Sequence, residues 1–208
     1  MTSSSRRTGE KSTERLIARR LSRAYGLGME QFSMRLSKSS SAPPDVVYDL
    51  LSDLSTHMTW AGAQQSTDFR LLSLQAPPGP ATAGTVFTST GTIPMSSRRF
   101  EDRSKVTVAE RPRTFEFVTN ATVRRAGHSM EAIYRHRYEI TPTSDGSLVS
   151  YQLTQLNVTN PFLRLSLPVV RTMSWRVALP FMAGRGFRNL IALAERTPSP
   201  ALSGRGQR

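Results

Sequence analysis

The stretch EAIYRHRYEI, residues 131–140, alternates in a way that decides how it is read. Its even positions are Ala132, Tyr134, His136, Tyr138 and Ile140; its odd positions are Glu131, Ile133, Arg135, Arg137 and Glu139. Successive side chains of a strand point to opposite faces, so one face is mostly charged and the other is aromatic with a histidine in it. A titratable ring among tyrosines on an inward face is either a satisfied core residue, hydrogen bonded to backbone, or part of a small-molecule site. The stretch alone leaves both open.

The same alternation recurs on either side. Strands are predicted near residues 67–75, 84–93, 98–110 and 113–122, and beyond 131–141 another near 147–157. The joints between them carry turn chemistry: QAPPGPATAG, AERPRT with its break at Pro112, and TPTSDGS with Asp145 and Gly146 at its tip. Upstream, MEQFSMRLSKSS sets Phe32, Met34 and Leu36 against polar neighbours, a half-buried strand. SAPPDVVYDLLSDL then predicts a helix with Ser41 as its cap, prolines in the first turn and Asp45 at the positive end. Val46, Val47, Leu50, Leu51 and Leu54 form its apolar stripe. STHMTWAGA is a second short helical segment, whose His57, in a polar turn, is expected at the solvent. Helical pieces are predicted near 162–179, followed by a firmer helix from Pro180 to Arg196 with Phe187, Leu190, Ile191 and Ala194 at helical spacing. Consecutive short strands with short turns, flanked by helices, make an α+β chain built on an antiparallel sheet.

Composition removes several function classes. There is no cysteine, and the three histidines (His57, His128, His136) show no HExxH or comparable spacing, so no metal site is predicted. No nucleophile elbow, phosphate loop or cofactor fingerprint is present, and no cofactor is expected. Arg164, Arg171 and Arg176, with Pro161, Pro168 and Pro180, interrupt the apolar C-terminal part, so no membrane span is predicted there. Of the net charge of +13, residues 1–23 carry a surplus of five, Arg205 and Arg208 add two, and the remaining six are spread over residues 24–196. Residues 1–28 are rich in Ser and Arg without the apolar run of an export signal, which points to a cytoplasmic protein. Ile17, Leu21 and Ala24 lie opposite Arg15, Arg19 and Arg23, so the arm is either a solvated flexible leader or a basic amphipathic helix able to touch an anionic membrane. Nucleic acid is a poorer partner, because only Tyr25 interleaves an aromatic ring with the arginines. Residues 197–208 read as a disordered tail, and the oligomeric state is undetermined.

Several of these segments also resemble a known family. SAPPDVVYDLLSDLSTHMTW, with Asp53 and Trp60, is similar to the opening of the SRPBCC superfamily, also called START-like or polyketide cyclase/dehydrase-like. GTVFTSTG followed by RFEDRSKVTVAERPRTFEFV is similar to its strand, proline turn, strand unit, and GRGFRNLIALAER to its C-terminal helix. The resemblance covers roughly residues 30–196 and implies a helix-grip fold over 29–196. In that fold a curved antiparallel sheet of six or seven strands wraps a C-terminal helix, with two short helices after the first strand. It also implies a cavity for a lipid, quinone or polyketide-like molecule. The superfamily includes lipid and sterol carriers, pollen allergen relatives, polyketide cyclases and coenzyme Q binding proteins, without a shared catalytic motif. Pro168 and Pro180 depart from a single unbroken final helix.

If the sheet is cupped, parity assigns its inner face: Phe32, Met34 and Leu36; Phe87; Phe100, Val106 and Val108; Phe115 and Phe117; Tyr134, His136 and Tyr138; Val149, Tyr151 and Leu153. Asp102 and Ser104 then point inward beside Phe100, and a carboxyl in an apolar wall needs a partner. The candidate ligand-binding residues are Trp60, Phe87, Phe100, Ser104, Phe117, Tyr134, Tyr138, Tyr151 and Phe187. The candidate catalytic pair is His136, as a general base whose basicity a nearby Asp102 or Tyr151 would raise, with Asp102 assisting. Three functions compete: a carrier or binder of a hydrophobic or amphipathic small molecule, a cyclase or dehydratase using His136, and an adaptor that works through the basic arm. Arg124, Arg125 and His128 form a basic hairpin tip that is expected to be solvated.

Overall fold

The strand that contains residues 131–140 runs from His128 to Thr143 and lies inside a seven-stranded antiparallel sheet. The computed structural model describes residues 32–61, 70–93, 98–125, 128–158, 176–177 and 179–198. The basic arm, most of the helical pieces expected at 162–179 with Trp175 among them, and all but the first two residues of the tail lie outside the described residues.

In chain order the elements are β1 (Ser33–Ser40), α1 (Pro44–Ser52), one 3-10 turn (Leu54–Thr56), α2 (His57–Trp60), β2 (Arg70–Gln75), β3 (Val86–Thr92), β4 (Arg99–Glu110), β5 (Thr114–Arg125), β6 (His128–Thr143), β7 (Gly146–Val158) and α3 (Leu179–Arg196). The strands are ordered β1-β7-β6-β5-β4-β3-β2, so β2 to β7 form a meander and β1 closes the far edge against β7. The sheet is curved and unclosed, and with the helices it makes the α+β helix-grip arrangement that the sequence implied.

Local chemistry accounts for the joints. Gly146 has φ 144°, a conformation that disfavours other residues, and a Cβ there would run into the Ser40 carbonyl and the Ser41 backbone. The β6–β7 hairpin can therefore tuck under the β1–α1 connection. Helix α1 starts two residues later than Ser41 would place it: Pro43 is the N-cap, no side chain caps it, and Pro44 occupies the first turn. Pro44 lacks an N–H and suits the first turn, and Val46 and Val47 donate theirs to the Pro43 carbonyl at 3.1 and 3.4 Å. Ser41 instead donates its backbone N–H to Glu195 in α3. Arg111, in the β4–β5 turn, bridges to Asp45 and Asp49 on α1 at 2.9 Å each.

The meander also carries bulges that shift parity. Val106 is fully buried, but the register slips after it, so Val108 stands opposite Glu116 on the outer face and Ala109 takes the inner place opposite Phe115. The inward assignment of Val108 is thereby corrected.

Helix α3 packs along β1 and against α1 and α2. Its stripe of Phe187, Leu190, Ile191 and Ala194 is buried as its spacing predicts, and joins Val47, Leu51, Phe115 and Val149 in one core. Because Leu190 has no exposed surface, Leu190→Ala is expected to lower the unfolding free energy by about 2–5 kcal/mol, read from urea denaturation. A loss below about 0.5 kcal/mol would mean that the helix is not seated there.

Candidate functional site

Register sets the inner side chains in rows across the strands. Phe87, Ser104, Thr119 and Tyr134 stand opposite one another on β3, β4, β5 and β6. One row toward the β5–β6 hairpin tip come Ser89, Asp102, Ala121 and Ala132, and then Gly91, Phe100, Val123 and Met130. In the other direction follow Phe117, His136 and Leu153, and then Phe115, Tyr138 and Tyr151. Most of these side chains, with β2 and α2 at the side and the N-terminal half of α3 above, line a cavity of about 380 Å³.

All eleven candidate residues line it: Trp60 from α2, Phe87 from β3, Phe100, Asp102 and Ser104 from β4, Phe117 from β5, Tyr134, His136 and Tyr138 from β6, Tyr151 from β7 and Phe187 from α3. Room at one end depends on Gly91, where a Cβ would collide with the Phe100 ring and the Arg70 carbonyl. The wall is a connected set of rings. Phe117 stacks on His136 at 4.5 Å, Tyr138 on Tyr151 at 4.7 Å, and Phe87 meets Phe117 edge-on at 5.4 Å.

His57 belongs to this wall and not to the solvent, which corrects the expectation drawn from its polar turn. It is 4% exposed, its Nε2 donates to the Leu51 carbonyl at 2.9 Å, and its ring packs on Trp60 at 4.5 Å. The signal was present: His57 stands three residues before Trp60 in a helical turn, on the same side. Leu71 and Leu74 also line the cavity. Strict alternation puts residues three apart on opposite faces, and the bulge between Leu71 and Ser73 brings both inward. Thr119, Ala121, Ala132 and Ala183 complete places that a search for aromatic or titratable types passes over.

Electrostatics follow from burial. The Nδ1 of His136 shares a 2.9 Å hydrogen bond with the Tyr151 hydroxyl, one of the two partners expected for it. The ring is not made more basic: burial, and then the neighbouring His57, lower its pKa to about 3. Burial lowers His57 to about 4 against the opposing pull of the Leu51 carbonyl and Asp53. Tyr151 and Tyr138 are pushed up by the same desolvation. Asp102 is raised to about 7 by burial, and its Oδ1 has no hydrogen-bond partner among the described residues. Ser104 and Thr119 satisfy each other at 2.8 Å. Among the described residues the cavity is thus lined by one carboxyl and two imidazoles, with no lysine or arginine.

Both imidazoles titrate lower in the folded chain than their usual 6.5, so the unfolded chain binds more protons, and the stability they confer is lost as pH falls from 6.5 toward about 4 for His57 and about 3 for His136. Asp102, raised from 3.8 to about 7, acts in the opposite sense over an overlapping range, one group against two. His136→Phe is expected to flatten the decline in unfolding free energy over that acid range, measured by denaturant titration at several pH values. A profile parallel to that of the unaltered chain would show that the ring is not held neutral.

Comparison with known proteins follows the geometry. The chain is similar in structure to protein CV1439 from Chromobacterium violaceum, at 14% identity and TM-score 0.55, over 80% of this chain and 99% of that one. It is similar to protein Ms6760 from Mycobacterium smegmatis, at 13% identity and TM-score 0.54, over 81% and 93%. The KanY protein matches at 19% identity and TM-score 0.52, over 80% and 99%. At such identities the likeness is one of fold. A search of curated proteins finds no match. A family model described as polyketide cyclase / dehydrase and lipid transport matches residues 31–195, and the chain belongs to that family.

Proposed function

We propose that the protein binds a hydrophobic or amphipathic small molecule, such as a lipid, quinone or polyketide-like compound, in the cavity between the sheet and α3. The observation that carries this reading is the cavity itself: about 380 Å³ of space walled by aromatic and aliphatic side chains, where a folded interior is ordinarily close-packed. Apolar burial drives the binding, at roughly 25 cal/mol per Å² before ordering costs. The few polar tips, Tyr134, Asp102 and the His136–Tyr151 pair, orient the ligand.

Two other readings have less support. A cyclase or dehydratase needs His136 to accept a proton, and a ring that burial holds neutral down to about 3 is a weak base near neutral pH. An adaptor working through the basic arm rests on residues outside those described. No helix among the described residues is long and apolar enough to cross a membrane.

Filling the cavity tests the proposal. Ala132→Trp places an indole inside the second polar row, where Ala132 is buried. The full chain is expected to take up Nile red with a rise in fluorescence, and the variant to bind it about tenfold more weakly, about 1.4 kcal/mol. Native mass spectrometry of the freshly purified protein is expected to show a copurifying apolar molecule that the variant lacks. Equal dye binding by both proteins would place the dye elsewhere and defeat the reading.

A further inference from the structure

Among the described residues, the cavity wall holds one buried polar oxygen without a hydrogen-bond partner. The Ser104 and Thr119 hydroxyls bond each other, His57 is tied to the Leu51 carbonyl, and His136 to Tyr151. Asp102 lines the same space with its Oδ1 buried and without a hydrogen-bond partner among the described residues.

What faces it is known from each neighbouring element. Ser89 stands opposite on β3, Ala121 on β5, and Ala132 beyond it on β6. The same cavity receives Leu71 and Leu74 from β2, Leu179 and Ala183 from α3, and His57 from α2. The titratable groups are therefore Tyr134 and His136 on β6, Tyr151 on β7, Tyr138 and His57, and none of them is a cation at neutral pH. Among the described residues an ionised carboxylate here meets no cation and no donor reaches its buried Oδ1, which is costly, so the acid form is favoured. A carboxylic acid is a donor, and the Oδ1 of Asp102 meets no acceptor among the described residues. A cationic ligand would also answer the charge, but it must shed its own hydration, and buried ion pairs roughly break even against neutral groups.

We infer that Asp102 determines the specificity of the cavity: as a carboxylic acid it donates a hydrogen bond to an acceptor oxygen, a carbonyl or hydroxyl, of an uncharged ligand whose apolar frame lies on the aromatic wall. This rests on the reading that the cavity holds a ligand. It adds a pH dependence, because the carboxyl titrates at about 7: affinity for an oxygen acceptor is full below that pH and declines above it.

Three probes of nearly one shape test it against the full chain by displacement of Nile red: acetylnaphthalene, which carries a ketone, ethylnaphthalene, which lacks the oxygen, and naphthylethylamine, which is a cation. At about pH 6 the ketone is expected to bind roughly fivefold more tightly than the hydrocarbon, as one net hydrogen bond gives, and to lose most of that preference by about pH 8.5. Asp102→Leu abolishes both the preference and the pH dependence. Asp102→Asn, whose amide still donates, keeps the preference and loses the pH dependence. A leucine variant that still prefers the ketone overturns the inference. So does an ammonium probe that binds tightest of the three and is lost in the asparagine variant, since that assigns an ion pair. If the hydrocarbon binds and the ketone binds no better, the inference alone fails; if neither binds, the cavity reading fails with it.

Discussion

The seating of α3 on the sheet governs everything else in this molecule. Its C-terminal half is locked: Leu190, Ile191 and Ala194 share a close-packed core with Val47, Leu51, Phe115 and Val149. Its N-terminal half presents Leu179, Ala183, Gly186 and Phe187 to open space. One helix therefore does two things. Leu190 and Ile191 fill the interior at one end, and Ala183 and Gly186 leave room at the other. Phe187 marks the boundary, buried itself and stacked against Tyr151 at 6.2 Å. A cavity in a protein forfeits dispersion contacts, so it persists only where rigid neighbours span it. Here the span is a hydrogen-bonded sheet on one side and a helix anchored by its other half.

An apolar void dictates the protonation of whatever borders it. The two histidines and the tyrosines are all driven toward their neutral forms by the same loss of water, and so is Asp102. The outer face of the same strands behaves oppositely. Arg35 reaches Glu139 at 3.3 Å, Glu139 meets Arg137 at 3.0 Å, and Arg137 meets Glu116 at 3.1 Å, a ladder of ions on the outer face that is exposed except at Glu116, which is buried. The exposed pairs contribute little to stability. Their consequence is to keep charge on the convex side, so β6 separates two dielectric environments across the thickness of one strand.

Belonging to the polyketide cyclase / dehydrase and lipid transport family accounts for the scaffold and leaves the chemistry to the lining. In this chain the lining is dominated by rings with one lone carboxyl, an arrangement suited to holding a flat apolar frame and addressing one oxygen on it. For His136 to be strong enough for base chemistry it would need a nearby anion or better hydration, and Asp102, itself driven toward its neutral form, is a poor source of that charge.

Much of this could be read from sequence because it is local. Period-two alternation assigns faces within a strand, and Pro112, Asp145 and Gly146 mark turns by their own backbone preferences, so the antiparallel run of strands and eleven of the residues that line the cavity were legible before any coordinates. Val108 and the Leu71–Leu74 pair were not, because a bulge is set by the partner strand. His57 was missed although its place three residues before Trp60 marked the same side, because most of its chain neighbours are polar while its neighbours in space include Phe87, thirty residues on. Between bulges, the sequence by itself determined which side chains share a face. Tertiary structure alone decided that this face looks onto a void with no counter-ion among the described residues, because empty volume and local dielectric are sums over groups far apart in the chain.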